Sequence, residues 1–223
     1  MRLLPLVPSA HLPAWTAGAD TERAQEAHLA VLARDGHTCR FCGFRAQVRQ
    51  GVVHLDGNRA NPALDNLATA CLLCDAVQDL GRPTTVQEML LVWLPEVSQA
   101  VLNGLVRGIH QVLHGEGQSP VQGSRPRQDT PAVRAAWRAY AALAARAPAA
   151  ELHVGTSSPR ELASALLDMP PATYARRAAL LGGTRVLHRG RHFRDGADVY
   201  PGILGDWARV GAAVTLPAFP ILS

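Results

Sequence analysis

Apolar residues recur along this chain in two rhythms, and the changes between them mark out its elements. Ala24, Ala27 and Val31, with Leu29 and Leu32 beside them, predict a helix over 21–34 whose apolar face packs under the cysteine turn that follows. Asp20 is placed to cap it, Glu22 lies in its first turn, and Gly36 stands just past its end. Gly51-Val52-Val53-His54-Leu55-Asp56 predicts a short strand carrying a histidine. Met89 to Leu94 is a continuous apolar run closed by Pro95, which predicts a buried strand. Pro95-Glu96 then opens a helix in which Val97, Val101, Leu102, Leu105, Ile109, Val112 and Leu113 recur at helical spacing. That stripe reads as core, with one edge able to receive a partner helix as the alternative.

From 115 to 129 the chain turns to Gly, Gln, Ser, Pro and Arg, the composition of a linker. Further helices are predicted over 132–146, where Trp137 and Tyr140 lie one turn apart, over 159–167, and over 172–181 before Gly182-Gly183. The expected organisation is an N-terminal arm and first domain over 1–114, a loop or linker over 115–130, and a mainly helical half over 131–223. The arm, with Pro5, Pro8 and Pro13, is expected to lie extended over the domain with Trp15 as an anchor. The apolar end, 208–223, should lie against the domain or a partner.

Charge changes this picture little. The formal net charge is +4, and all 22 basic residues are arginine, a skew typical of biased genome composition. More telling is 176–194, where six arginines and two histidines occur with no acid between them, a candidate electrostatic contact. Phe193 is its lone aromatic residue, which argues against single-stranded nucleic acid as the target. No apolar stretch has the length of a membrane span, and prolines break the first twenty residues, so neither a span nor a signal peptide is expected.

The candidate chemistry lies in the four cysteines, Cys39 and Cys42, then Cys71 and Cys74. Two residues between thiolates let both sulfurs reach one ion from a single turn, so two such pairs predict one structural Zn²⁺ in a closed four-sulfur cage. Thiolates that must stay reduced imply a cytoplasmic protein. Phe41 and Phe44 are expected to cover the sulfurs, and Arg40, Arg45 and Arg49 to offset their charge. With four sulfurs filling the shell, His28 and His37 are expected to be surface or packing residues. Asn66 is expected to cap the helix carrying the second pair. No phosphate loop or nucleophile elbow occurs.

The stretch between the pairs resembles the four-cysteine variety of the HNH, or ββα-metal, fold. His54 and Asn66 stand close to the first two positions of the HNH set, whereas Asp75 occupies the place of the closing histidine. The resemblance implies an α+β fold: an HNH-like ββα zinc-knuckle core, surrounding α-helices and an α-helical C-terminal half. A nuclease would then rest on His54, Asn66 and Asp75. The altered set favours a retired site, in which His54 and Asn66 hold the hairpin and helix together.

A narrower resemblance joins Cys39-Arg40-Phe41-Cys42-Gly43-Phe44, His54-Leu55-Asp56-Gly57-Asn58, Asn66-Leu67-Ala68-Thr69-Ala70-Cys71 and Leu94-Pro95-Glu96-Val97-Ser98-Gln99-Ala100. In that order, over about 25–110, they look like the IcmJ/DotN family of type IVB secretion systems. This implies a non-enzymatic zinc protein of the type IV coupling complex, at the cytoplasmic face of the inner membrane. Its partners would be the C-terminal tail of the coupling ATPase and other coupling-complex subunits, and it would help recruit effectors or a conjugative substrate. Two alternatives stay open: an HNH endonuclease using His54, and a zinc-knuckle nucleic-acid-binding module using the arginine-rich segment.

Overall fold

The computed structural model describes residues 3–11, 21–118 and 130–211. In chain order the elements are α1 (Thr21–Arg34), β1 (Gln50–His54), a 3₁₀ turn (Leu64–Asn66), β2 (Leu67–Cys71), α2 (Leu72–Gln78), α3 (Thr85–Glu88), β3 (Met89–Trp93) and α4 (Gln99–Gly115). After the undescribed segment come α5 (Pro131–Ala144), α6 (Ala147–Val154), α7 (Pro159–Leu167), α8 (Pro171–Ala175), α9 (Arg177–Leu181), β4 (Thr184–His188), β5 (Phe193–Arg194), β6 (Ala197–Asp198) and α10 (Tyr200–Arg209). This is a mixed α+β protein. Trp15, most of the expected linker and the apolar end beyond 211 lie outside the described residues.

β1 and β2 form an antiparallel hairpin with Gln50 opposite Cys71 and His54 opposite Leu67. All five residues of β2 are buried, because α1 covers one face and a core cluster the other. The α1 side is polar at its centre: the Thr69 N–H donates to Asp35 Oδ2 at 2.9 Å, and Arg34 and Arg40 pair with the same carboxylate. α1 therefore packs on the hairpin rather than under the cysteine turn, and Leu29 is 60% exposed. Asn66 is not a helix cap. A strand stands between it and α2, and Cys71 takes the N-cap position.

The second sheet is built from distant segments. β3 pairs antiparallel with β4, Leu91 opposite Val186, so the two long stretches of chain on either side of the undescribed segment share one sheet. Met89 and Leu91 enter one core with α7, while Leu90 and Val92 enter another with α4 and α5. Burial on both faces explains why β3 reads as a continuous apolar run. Its free edge is covered: the Leu91 N–H donates to Ser157 O at 2.9 Å and the Trp93 N–H to Arg146 O at 3.2 Å.

α4 begins at Gln99, not at Pro95, since Ser98 is the cap and its Oγ accepts from Val101 N–H. Its apolar stripe is core, with Leu102, Val106, Ile109 and Leu113 buried against α5, and Tyr140 lies in the same cluster. The expected helix over 172–181 breaks into α8 and α9 at Arg176. Sequence reading missed α6, β4, the β5–β6 hairpin and α10. Asp195-Gly196, both at positive φ, was a legible turn signal for that hairpin. Ile203, Leu204 and Trp207 carried the spacing of a helix face.

The N-terminal arm lies extended over the domain, as expected, through residues 3–11. The Leu4 N–H donates to Arg40 O, the Ser9 N–H to Val77 O, and the Leu80 N–H to Ser9 O, so the arm runs from the cysteine turn along α2. Tyr174 Oη then donates to Ala10 O, and Arg177 to Ser9 Oγ, tying it to α8 and α9.

Candidate metal centre

The cysteine turn forms because its backbone closes on itself. The Cys39 N–H donates to Phe44 O and the Gly43 N–H to Cys39 O, both at 2.9 Å, while Thr38 bridges Arg45. Gly43 sits at φ +74, a conformation that side chains disfavour. Cys71 ends β2 and Cys74 lies in the first turn of α2, so a strand-to-helix switch delivers the second pair. The four Sγ atoms all lie within 4.8 Å of one another. Cys42 and Cys71 are 3.7 Å apart. Zn–S bonds of about 2.3 Å imply sulfur–sulfur edges of about 3.8 Å in a tetrahedron, so the spacing fits the ion its donors suggest.

Cys39, Cys71 and Cys74 are buried and Cys42 is half-buried, in a cluster that includes Phe41, Phe44, Tyr200, Leu204 and Trp207. Phe41 and Phe44 act as the expected covers, and α10 supplies the rest of the lid. Hydrogen bonds from Cys39 and the other thiols, helped by nearby Arg107, favour Cys42 as a thiolate. Burial above all pushes the Cys74 thiol up. A dication at the centre would let all four ionise together.

The basic residue beside the sulfurs is not one of those expected. Arg40 pairs with Asp35, Arg49 pairs with Asp206 on α10, and Arg45 is exposed. Arg107 of α4 instead reaches 3.9 Å from Cys42 Sγ, with its guanidinium carbon 3.8 Å from the centroid of the Phe44 ring. Asn103, one turn earlier, donates through Nδ2 to Cys74 Sγ at 3.3 Å. Neither was legible, since both come from a helix distant in sequence and hide in its apolar stripe.

Of His54, Asn66 and Asp75, the first and third face one cleft of about 470 Å³, with His11, His28, Arg59 and Arg82 among its other walls, and Asn66 is not part of that lining. Asn66 organises the preceding loop: its Oδ1 accepts from Asp56 N–H, and its Nδ2 donates to Asp56 Oδ1 and to Asn61 O. Burial lowers the His54 pKa and raises that of Asp75. The arm enters the same cleft, because the His11 ring packs where a side chain at Gly57 would stand.

The arginine-rich segment is largely occupied. Arg177 holds Ser9, Arg185 donates to Val97 O, and Arg189 to Met89 O. Its histidines are buried: His188 bonds Leu73 O, and His192 pairs with Glu88. Arg176, Arg191 and Arg194 remain exposed.

Fold and site together define a mixed α+β protein built around a buried four-cysteine centre of the kind that holds a metal ion. No protein-family model matches the sequence. The chain is 39% identical over 92 residues to the type 4 apparatus protein DotN of Legionella pneumophila, a match covering 38% of this chain and 40% of that protein. Over that stretch the chain is similar to DotN, in keeping with the resemblance its motifs carry. The match spans about two fifths of the relative's length.

Proposed function

We propose that this protein is a non-enzymatic, zinc-binding component of a type IVB secretion coupling complex. It docks on the C-terminal tail of the coupling ATPase and supports recruitment of effectors to it. The observation that carries this reading is the identity to DotN, joined to a four-cysteine cluster whose spacing suits Zn²⁺. The order β1, β2, α2, with one cysteine pair before β1 and the other at the β2–α2 junction, supports an HNH-like ββα core. Reduced thiols suit the cytoplasmic face of the inner membrane. No helix among the described residues is long and apolar enough to cross a membrane, so attachment there would come through partners.

One observation favours a nuclease, namely that His54 and Asp75 share a cleft. Against it, Asn66 is committed to the Asp56 loop, and an arm residue enters the space. A carboxyl group whose pKa is raised by burial is also a poor ligand for Mg²⁺.

The test pairs two measurements on one preparation. Titration with a peptide of the coupling ATPase tail should show saturable binding, and incubation with DNA and Mg²⁺ or Mn²⁺ should show no cleavage. Cleavage abolished by His54→Ala with zinc retained would overturn the reading.

A further inference from the structure

The face that α4 turns to the cysteines is polar, although the helix is buried on both of its broad sides. Gln99, Asn103, Arg107 and His110 succeed one another at about one helical turn, with exposures of 2, 0, 5 and 0%. Side chains of this kind are costly to bury without partners, so their partners account for their presence.

Asn103 donates to Cys74 Sγ while its own Oδ1 accepts from Gln99 Nε2 at 2.8 Å. That second bond fixes the amide, because an oxygen already taken leaves only the NH₂ side to face the sulfur. Gln99 is fixed in turn by β4: its Oε1 accepts from Val186 N–H at 2.7 Å, and its Nε2 donates to Val186 O at 2.9 Å. A line of hydrogen bonds thus runs from the backbone of a C-terminal strand, through two amides, to a cysteine sulfur. One turn further along α4, the Arg107 guanidinium stands over the Phe44 ring and its Nη1 donates toward Cys42 and Cys71 Sγ, 3.9 and 4.0 Å away. A ring beneath the guanidinium leaves its edge N–H groups as the donors that can meet sulfur.

A dication held by four thiolates keeps a net charge of −2 in a largely buried site, and outer donors must offset it. We propose that Asn103 and Arg107, positioned by Gln99 and Phe44, are the outer groups that set the affinity and charge of the four-cysteine metal centre. Metal loading is thereby linked to the docking of β4. This rests on the reading of the cysteines as a metal site.

The experiment titrates the full chain with Zn²⁺ against a chromogenic chelator and, separately, records the thiolate-to-cobalt charge-transfer band with Co²⁺. Arg107→Met and Asn103→Leu should each weaken Zn²⁺ binding by about tenfold or more and shift the cobalt band. Gln99→Leu should weaken it as well, although it touches no cysteine. Arg107→Lys, which keeps the charge and loses the planar fork, should fall between parent and Arg107→Met; it is also the variant to read if Arg107→Met does not fold. Parental affinity with an unshifted band in Asn103→Leu and in either Arg107 variant would overturn the proposal. A parent chain that binds neither ion would overturn the metal reading itself, and that failure is distinguishable because it precedes any variant.

Discussion

Trp207, on the last described helix, stands edge-on to Phe44 beside the second cysteine, ring centroids 5.1 Å apart and planes at 75°. This contact sets α10 against the cysteine turn. Trp207→Ala should destabilise the protein by about 3–5 kcal/mol, read as a lower urea midpoint with metal present. Trp207 Nε1 has no hydrogen-bond partner among the described residues. Trp207→Phe should therefore recover most of the loss, since it keeps an aromatic edge and removes that unpaired donor.

Acid should unfold the protein partly through Glu88. Burial works against its charge, but hydrogen bonds from His192, Phe193 N–H and Thr84, with Arg82 alongside, hold its pKa down at about 2. A folded pKa below the unfolded value gives stability that is present above about pH 4.5 and is lost as pH falls toward 2. The contribution at neutral pH is on the order of 3 kcal/mol. Glu88→Gln should lower stability at pH 7 and flatten its slope between pH 5 and about 3, measured by denaturant titration at each pH.

Gly57, at φ +73, would place a Cβ 2.1 Å from the His11 ring nitrogen Nδ1. Gly57→Ala should cost about 1–3 kcal/mol and loosen the N-terminal arm, seen as faster proteolysis near residue 11. Adding His11→Ala should restore part of that cost by removing the clash, leaving the backbone strain. Strict additivity of the two changes would refute the contact.

Removing the metal should have a larger effect than removing the cleft histidine. Cys74→Ser, or a strong chelator, should release Zn²⁺ and lower the melting temperature of the whole protein, because one core cluster joins the cysteine turn, the β1–β2 hairpin and α10 around the sulfurs. His54→Ala should leave metal content unchanged, with stability within about 1 kcal/mol of the parent. Metal analysis and calorimetry on the two variants check both statements.

Spacing along the chain was enough for whatever depends on near neighbours. The two Cys-x-x-Cys pairs, α1, the buried β3 run and α7 with its Ser158 cap follow from local turn chemistry and periodicity. The covering role of Phe41 and Phe44 follows from adjacency to Cys42. Tertiary structure decided the contacts that join remote segments: β4 on β3, α10 over the sulfurs, and Asn103 and Arg107 as donors to them. The reason is physical. A thiolate pair closes within one turn, so its residue types must be close in sequence. The donor that offsets its buried charge need only be near in space, and on α4 it stands among apolar residues whose period conceals it.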